Sequence, residues 1–284
     1  MEVDFKNHNL IDDLFKSYQP DYFAHLGSQS SVKKSNISMD SKIDSDFLTL
    51  QRLVKSIEKY SMDTKLFFPS SATIYEGYSD KQVNEHTPPK PKTKYAISKL
   101  NSQNLLRKKV IESNLNFNTG IMFSHESEFR RPIFFTKKVV EFLVKYVADK
   151  EKILYVGNLS IERDIGYAKE YVEAIFKILI NNNKTDYIVS SKVLYKLSDF
   201  INTCLKILDI DYEIISDGKK ISYIDTKNKE IFISSQDNEF RKFDLLGIKG
   251  DNNKIFKDLG WSPEFKLYDI CEKMIKYELK KMSK

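Results

Sequence analysis

"KLFFPSSATIY", at residues 65–75, sets the first constraint on the fold. Leu66, Phe67 and Phe68 make a short unbroken apolar run that ends abruptly in Pro69, Ser70 and Ser71. An unbroken run, unlike an alternating one, is what a strand covered on both faces requires. Four other segments read the same way: "YFAHL" (22–26), "NFNTGIMF" (116–123), "KILYVGN" (152–158) and "DYIVSS" (186–191). Helical patterns lie between them. Residues 43–60 carry Phe47, Leu48, Leu50, Leu53, Val54 and Ile57. Residues 95–112 carry a broken, more polar stripe, and residues 164–180 carry Ala168, Tyr171, Val172, Ile175 and Ile178. This alternation predicts an α/β fold, a parallel sheet with helices on both faces.

After residue 190 the pattern changes. "VLYKLSDFINTCLKIL" reads as helical, short strands follow near 211–234, and helices come near 251–259 and 266–281. The expectation is a smaller C-terminal α+β lobe interleaved with the sheet domain. "GSQSSVKKSNISMDSKIDSD" (27–46) reads as a polar loop, and no internal repeat is visible.

The 284 residues, 41% hydrophobic, suffice for one large domain or two unequal ones. A net charge of +6 is spread along the chain, which argues against a nucleic-acid footprint and leaves room for a basic cleft holding an anionic small molecule. Cys204 and Cys271 are isolated, with no metal-ligand spacing, as expected of a reduced, cytoplasmic protein. No apolar run approaches the roughly 20 residues of a membrane span, and the first residues lack signal-peptide character.

In open parallel sheets, ligands bind beyond the C-terminal ends of the strands. Ser71, His125, Glu126, Arg130, Arg163 and Asp164 fall there by this reading. "TKYAISKL" (93–100) adds Tyr95 and Lys99, which share one helix face at a spacing of four. That pair is equally what an ordinary solvated helix face contains; the neighbouring strand ends tip the reading towards a catalytic pair.

"PSSATIY" followed by "YAISK" resembles the Ser/Thr–Tyr–Lys constellation of the extended short-chain dehydrogenase/reductases. Within them, the chain is similar to the GDP-mannose 4,6-dehydratase family over nearly its whole length. The similarity is carried by "TGIMFSHESEFRRPIFFTKKV", "LYVGNLSIERDIGYAKEYVEAI", "DYIVSSKVLYKLSDFI", "KIFKDLGWSPEFKL" and the opening "DFKNHNLIDDLFKSYQPDYFAHLGSQSSV". The resemblance implies NADP as cofactor, a GDP-sugar nucleotide as substrate, and dehydration through transient oxidation at C4. It implies Tyr95 as base for the 4-hydroxyl, assisted by Lys99, with Ser71 bonding the same hydroxyl. It implies Thr73 as a further catalytic-loop position, cofactor contacts at Asp4, Phe5, Leu26, Gly27, Ser28, Gln29, Ser30, Tyr95, Lys99, His125 and Arg130, with Lys99 on the nicotinamide ribose, and substrate contacts at Ser124, Arg163 and Arg241. The domains implied are an incomplete NADP-binding Rossmann-like domain over 1–160 and a mainly substrate-binding lobe over 161–284.

The departures carry information too. None of the nine glycines forms a GxGxxG-type phosphate turn. By the resemblance, residue 1 falls just before the third strand of the nucleotide-binding half, so the Rossmann-like sheet is expected to lack its first two strands. The "YFAHL" strand would then be an exposed edge, which "EVDF" or a partner chain, such as a second copy in a homo-oligomer, would cover; a truncated reading frame is the other explanation. Thr73 stands where the family has its dehydratase glutamate, and Glu76 lies where the family has glycine. "SSATIY" resembles instead the loop of UDP-glucose 4-epimerase, which makes a 4-epimerase or ketoreductase one alternative. A non-catalytic relative or partner subunit is the other.

Overall fold

The apolar runs become strands in the computed structural model, which describes residues 7–27, 41–149, 152–217, 220–236 and 247–283. Strands β1 (Tyr22–Ala24), β2 (Lys65–Ser71), β4 (Phe117–Met122) and β8 (Asp186–Val189) form one parallel sheet in the order β1-β2-β4-β8. Successive side chains on a strand point to opposite faces, and β2 obeys this. Leu66 and Phe68 pack with Phe117 against helices α1 (His8–Tyr18), α2 (Ser41–Tyr60) and α3 (Lys94–Ser113). Phe67 packs on the other face, with Tyr187 and Val189, against α5 (Ala168–Ile180) and α7 (Asn253–Leu259). Helices therefore cover both faces, as the unbroken apolar runs require. Along α2, Leu50, Leu53, Val54 and Ile57 are buried, while Leu48 is exposed.

Four expectations need correction. The segment 193–208, read as helical, opens as a strand at Leu194–Lys196 and turns helical only at Leu197. Residues 152–158 do form a strand, β6 (Leu154–Val156), but it joins a different sheet. It pairs in parallel with β12 (Ile231–Ser235), which continues antiparallel to β11 (Lys220–Asp225) and β10 (Tyr212–Asp217). An apolar run specifies burial, and either sheet provides it. The helix expected over 164–180 begins only at Ala168, because Glu162–Tyr167 is strand β7. That strand lies between β5 (Ser124–Glu126), parallel to it, and β9 (Leu194–Lys196), antiparallel. Its predicted stripe residue Val172 is exposed. Finally, the polar stretch 27–46 is not loop throughout, since α2 begins at Ser41.

A second core combines residues 139–167 with the C-terminal ones. α4 (Phe135–Ala148), α6 (Leu197–Ile207) and α8 (Leu267–Met282) enclose Val140, Leu143, Phe200, Cys204, Cys271 and Met274. Inside it, Lys137 of α4 forms an ion pair with Glu278 of α8 and also donates to the Glu128 carbonyl at 2.6 Å. Both side chains are almost fully buried. Strands β3 (Gln82–Val83) and β13 (Lys249–Gly250) pair in parallel beside the main sheet. Among the described residues no helix is long and apolar enough to cross a membrane. β1 is the outer strand of its sheet among the described residues.

Removing one partner of a buried pair strands the other charge, which costs about 3–5 kcal/mol. Glu278→Ala is expected to lower the urea-unfolding free energy by that order, and Glu278→Gln by clearly less, because the amide oxygen still accepts from Lys137.

Candidate active site

The site is built where β1 ends. Lys65 donates its backbone N–H to Asp21 and the Phe67 carbonyl accepts from the His25 N–H, so odd-numbered residues of β2 face β1. Pro69 is next in that series, but β1 has by then ended. Its missing N–H therefore costs no ladder bond, which is how a proline fits inside this strand. Its carbonyl is left without a strand partner, and Lys99 Nζ donates to it at 3.0 Å. The Lys99 ammonium lies 5.0 Å from the Phe68 ring centroid and 5.8 Å from that of Tyr95. Lys99 is buried and Tyr95 half-buried, so the Tyr–Lys face of α3 lies against β2 rather than in solvent. Ser70 Oγ donates to Gln103 Oε1 at 2.9 Å and ties the next helical turn to the same strand.

Ser71 closes β2 and caps the short 3-10 turn Ala72–Tyr75. Its Oγ accepts from the Thr73 N–H at 3.3 Å and from Thr73 Oγ1 at 3.0 Å. With both acceptor positions used, the Ser71 proton is directed away from the turn. Glu76 is buried, and its carboxylate accepts from the Lys92 N–H at 2.5 Å, from the Thr93 N–H, and from Thr93 Oγ1 at 3.3 Å.

Histidine 25, absent from the sequence expectations, belongs to this cluster. It sits one residue beyond the Ala24–Phe67 pair, on the face that carries Phe68 and α3. Burial, and then the Lys99 charge, lower its pKa to about 4, so a neutral imidazole neighbours the ammonium. The only sequence signal was a lone polar residue ending an apolar strand, which does not distinguish a site residue from a core one.

β4 runs through Phe123 into β5, and the β5–β7 register sorts the remaining candidates. Ser124 is paired with Ile165, so Ser124 and Arg163 share one face, while His125 and Asp164 share the other. The Arg163 Nη1 donates to the Glu162 carbonyl at 3.0 Å. The His125 Nδ1–H donates to the Phe123 carbonyl at 2.9 Å, its ring lies 4.9 Å from Tyr171, and burial lowers its pKa. Asp164 accepts from the Ser191 N–H and Oγ at 2.7 Å, and burial lifts its pKa to about 6. Arg130 is paired with Glu126 at 3.1 Å and stacks on Phe134. Glu126 is raised by burial and held partly back by Arg130, and it accepts from Thr136 Oγ1 at 2.6 Å. Leu26 and Gly27 follow β1 and are exposed. Asp4, Phe5, Ser28, Gln29, Ser30 and Arg241 lie outside the described residues.

One expected feature is relocated. Arg163 and Asp164 do not follow a strand of the main sheet; they lie within β7, because β6 pairs elsewhere. The structure thus places Ser71 and Thr73 at the end of β2, Tyr95 and Lys99 on the helix face against that strand, and Ser124 with Arg163 on one face of the β5–β7 pair, His125 on the other.

A parallel sheet with a Ser–Tyr–Lys cluster at its C-terminal edge and an interleaved smaller lobe defines an extended short-chain dehydrogenase/reductase fold. Solved structures with that fold superimpose closely. The RMD protein of Pseudomonas aeruginosa complexed with NADPH matches with a TM-score of 0.81 at 16% identity, over 99% of this chain and 88% of that one. UDP-glucose 4-epimerase from Thermotoga maritima, with UDP-glucose, matches with a TM-score of 0.80 at 18% identity, over 99% and 84%. The family model described as GDP-mannose 4,6 dehydratase matches residues 1–274. The chain belongs to the GDP-mannose 4,6-dehydratase family. A Vibrio cholerae GDP-mannose 4,6-dehydratase is 26% identical over 98% of this chain and 78% of its own length, and one from Dictyostelium discoideum is 25% identical over 93% and 75%.

Histidine NMR tests the cluster without any ligand. His25 is expected to titrate near pH 4, and Lys99→Met is expected to raise that midpoint. An unchanged midpoint would place the ammonium elsewhere.

Proposed function

We propose that the chain binds NADP and a GDP-sugar nucleotide and works at the sugar C4 hydroxyl, as a sugar-nucleotide-modifying protein of the GDP-mannose 4,6-dehydratase type. One observation carries this reading: Lys99 is buried on the Pro69 carbonyl, 5.8 Å from the Tyr95 ring, near the end of the strand that Ser71 closes. The donor set fits the nicotinamide-ribose end of a dinucleotide, since an ammonium donates readily to hydroxyl oxygens such as those of a ribose. For the pyrophosphate, this sequence holds no Gly-rich turn. The NADPH bound by the Pseudomonas protein, and the UDP-glucose bound by the Thermotoga epimerase, support the two ligand classes.

Bound nicotinamide would supply the hydride acceptor for C4. Tyr95 would take the 4-hydroxyl proton. A phenol is a weak base at neutral pH and needs a cation nearby; the Lys99 ammonium lies 5.8 Å from the Tyr95 ring centroid. Ser71 would donate to the same oxygen, its own oxygen being occupied by Thr73. His125 and Arg130 are assigned to the cofactor side. Ser124 and Arg163, which share a face, are assigned with Arg241 to the sugar nucleotide, whose diphosphate suits guanidinium forks.

A second reading, a 4-epimerase or ketoreductase on the same scaffold, is favoured by the 71–76 loop. Removing a C5 proton needs a base; Thr73 is a hydroxyl, and both oxygens of Glu76 accept bonds from residues 92 and 93. Chemistry at C4 needs neither. A second copy or partner chain over the outer edge of β1 belongs to the same reading. Beside that edge, α5 exposes Val172, Phe176 and Ile180 at helical spacing, and Tyr22 of β1 is half exposed.

Titration with NADPH, followed by nucleotide fluorescence, is expected to give micromolar binding, weakened at least about tenfold in Lys99→Met. Tyr95→Phe should slow hydride transfer to or from the sugar by about 100- to 10,000-fold. Absence of binding at millimolar nucleotide would remove the redox reading. Product analysis on GDP-mannose separates water loss from inversion or reduction at C4.

A further inference from the structure

Glu76 is a carboxylate in an unusual position. In the loops that this segment resembles, glycine follows the tyrosine at position 75; here a glutamate does, three residues after the site where the dehydratase carboxylate is replaced by Thr73. Its oxygens bind the backbone N–H groups of Lys92 and Thr93 and the Thr93 hydroxyl, immediately before α3. Thr93 is the N-cap of α3, accepting from the Ala96 N–H at 3.2 Å. Tyr95 is the second residue of that helix and Lys99 lies in its second turn.

The electrostatics explain why a carboxylate belongs here. The N-terminus of a helix presents partial positive charge and unsatisfied N–H groups. α3 has no acidic residue in its first turn, and Lys90, Lys92 and Lys94 crowd cations around it. A buried anion from another segment offsets that charge. The surrounding backbone is welded as well. The Gly77 N–H donates to the Lys90 carbonyl at 2.8 Å, and the Lys90 N–H donates to the Ile74 carbonyl at 2.7 Å. A side chain at Gly77 would meet the Lys90 carbonyl oxygen at 2.7 Å. The loop carrying Ser71 and the helix carrying Tyr95 and Lys99 are therefore joined through Glu76.

We infer that Glu76 is a positioning residue, which sets the Tyr95–Lys99 pair against Ser71 by anchoring the start of α3 to the catalytic loop. This deepens the proposed function and rests on its assignment of Tyr95 and Lys99.

The test is NMR of the full chain labelled with carbon-13 tyrosine, with Tyr95 assigned through Tyr95→Phe, plus amide hydrogen exchange at Lys92 and Thr93. Glu76→Ala is expected to move the Tyr95 resonance and to speed exchange at both amides by about tenfold or more. Glu76→Gln, whose amide oxygen accepts the same N–H bonds, is expected to restore the Tyr95 resonance and most of the protection. A folded Glu76→Ala chain with an unmoved Tyr95 would overturn the inference. So would a Glu76→Gln chain with a displaced Tyr95, which decides the matter should the alanine variant not fold. Neither readout needs nucleotide, so a wild-type chain that binds no NADPH removes the redox reading without altering this result.

Discussion

The hydrogen bond from Lys99 to the Pro69 carbonyl is the interaction on which the site depends. It exists because β1 is three residues long and stops at Ala24, leaving the next carbonyl of β2 without a strand partner. A buried carbonyl without a donor is costly, and a buried ammonium without an acceptor more so. Each satisfies the other. The consequence is geometric: α3 is held at a fixed rotation about its axis, with Tyr95 beside the ammonium and Ser70 bonded to Gln103 one turn further on. His25 lies at the same end of β1, and its neutral imidazole adds no second positive charge to that buried space.

The second determinant is the β5–β7–β9 sheet, which joins the two lobes. β5 continues directly from β4 of the main sheet, and β9 leads into α6 of the C-terminal core. Asp164 fastens this junction further, since its carboxylate binds Ser191, just after β8, and lies 3.4 Å from the Gly250 N–H in β13. Ser124 and Arg163 therefore stand on a platform built from both lobes. A sugar-nucleotide subsite at that place would be preorganised by backbone pairing rather than by mobile side chains.

The loop after β2 balances loss and gain of charge. Threonine at 73 contributes a hydroxyl that orients Ser71, while the carboxylate at 76 is spent on the helix N-terminus. On the proposed reading, such a loop would serve proton transfer at a hydroxyl better than carbon-acid chemistry at C5. Family membership and local chemistry thus point in slightly different directions, and residues 73 and 76 are where they part.

Much was legible in the sequence because it rests on local rules. The unbroken run Leu66–Phe68 required two covered faces, and the core supplies them. Tyr95 and Lys99 share a face because four residues make about one helical turn. What the sequence could not settle was which non-local partner each segment takes. Leu154–Val156 is as apolar as a main-sheet strand, yet pairs with β12; Asp164–Tyr167 read as the start of a helix, yet belongs to a strand between β5 and β9. The roles of His25, Glu76 and Pro69 were equally hidden, because each depends on where β1 ends relative to β2 and where α3 lies above them. By itself, the sequence determined the residue types of the site and the class of fold. Only the tertiary structure decided which carbonyl meets Lys99 and which N–H groups meet Glu76, since those contacts, 30 and 16–17 residues apart in the chain, are set by strand register and helix placement.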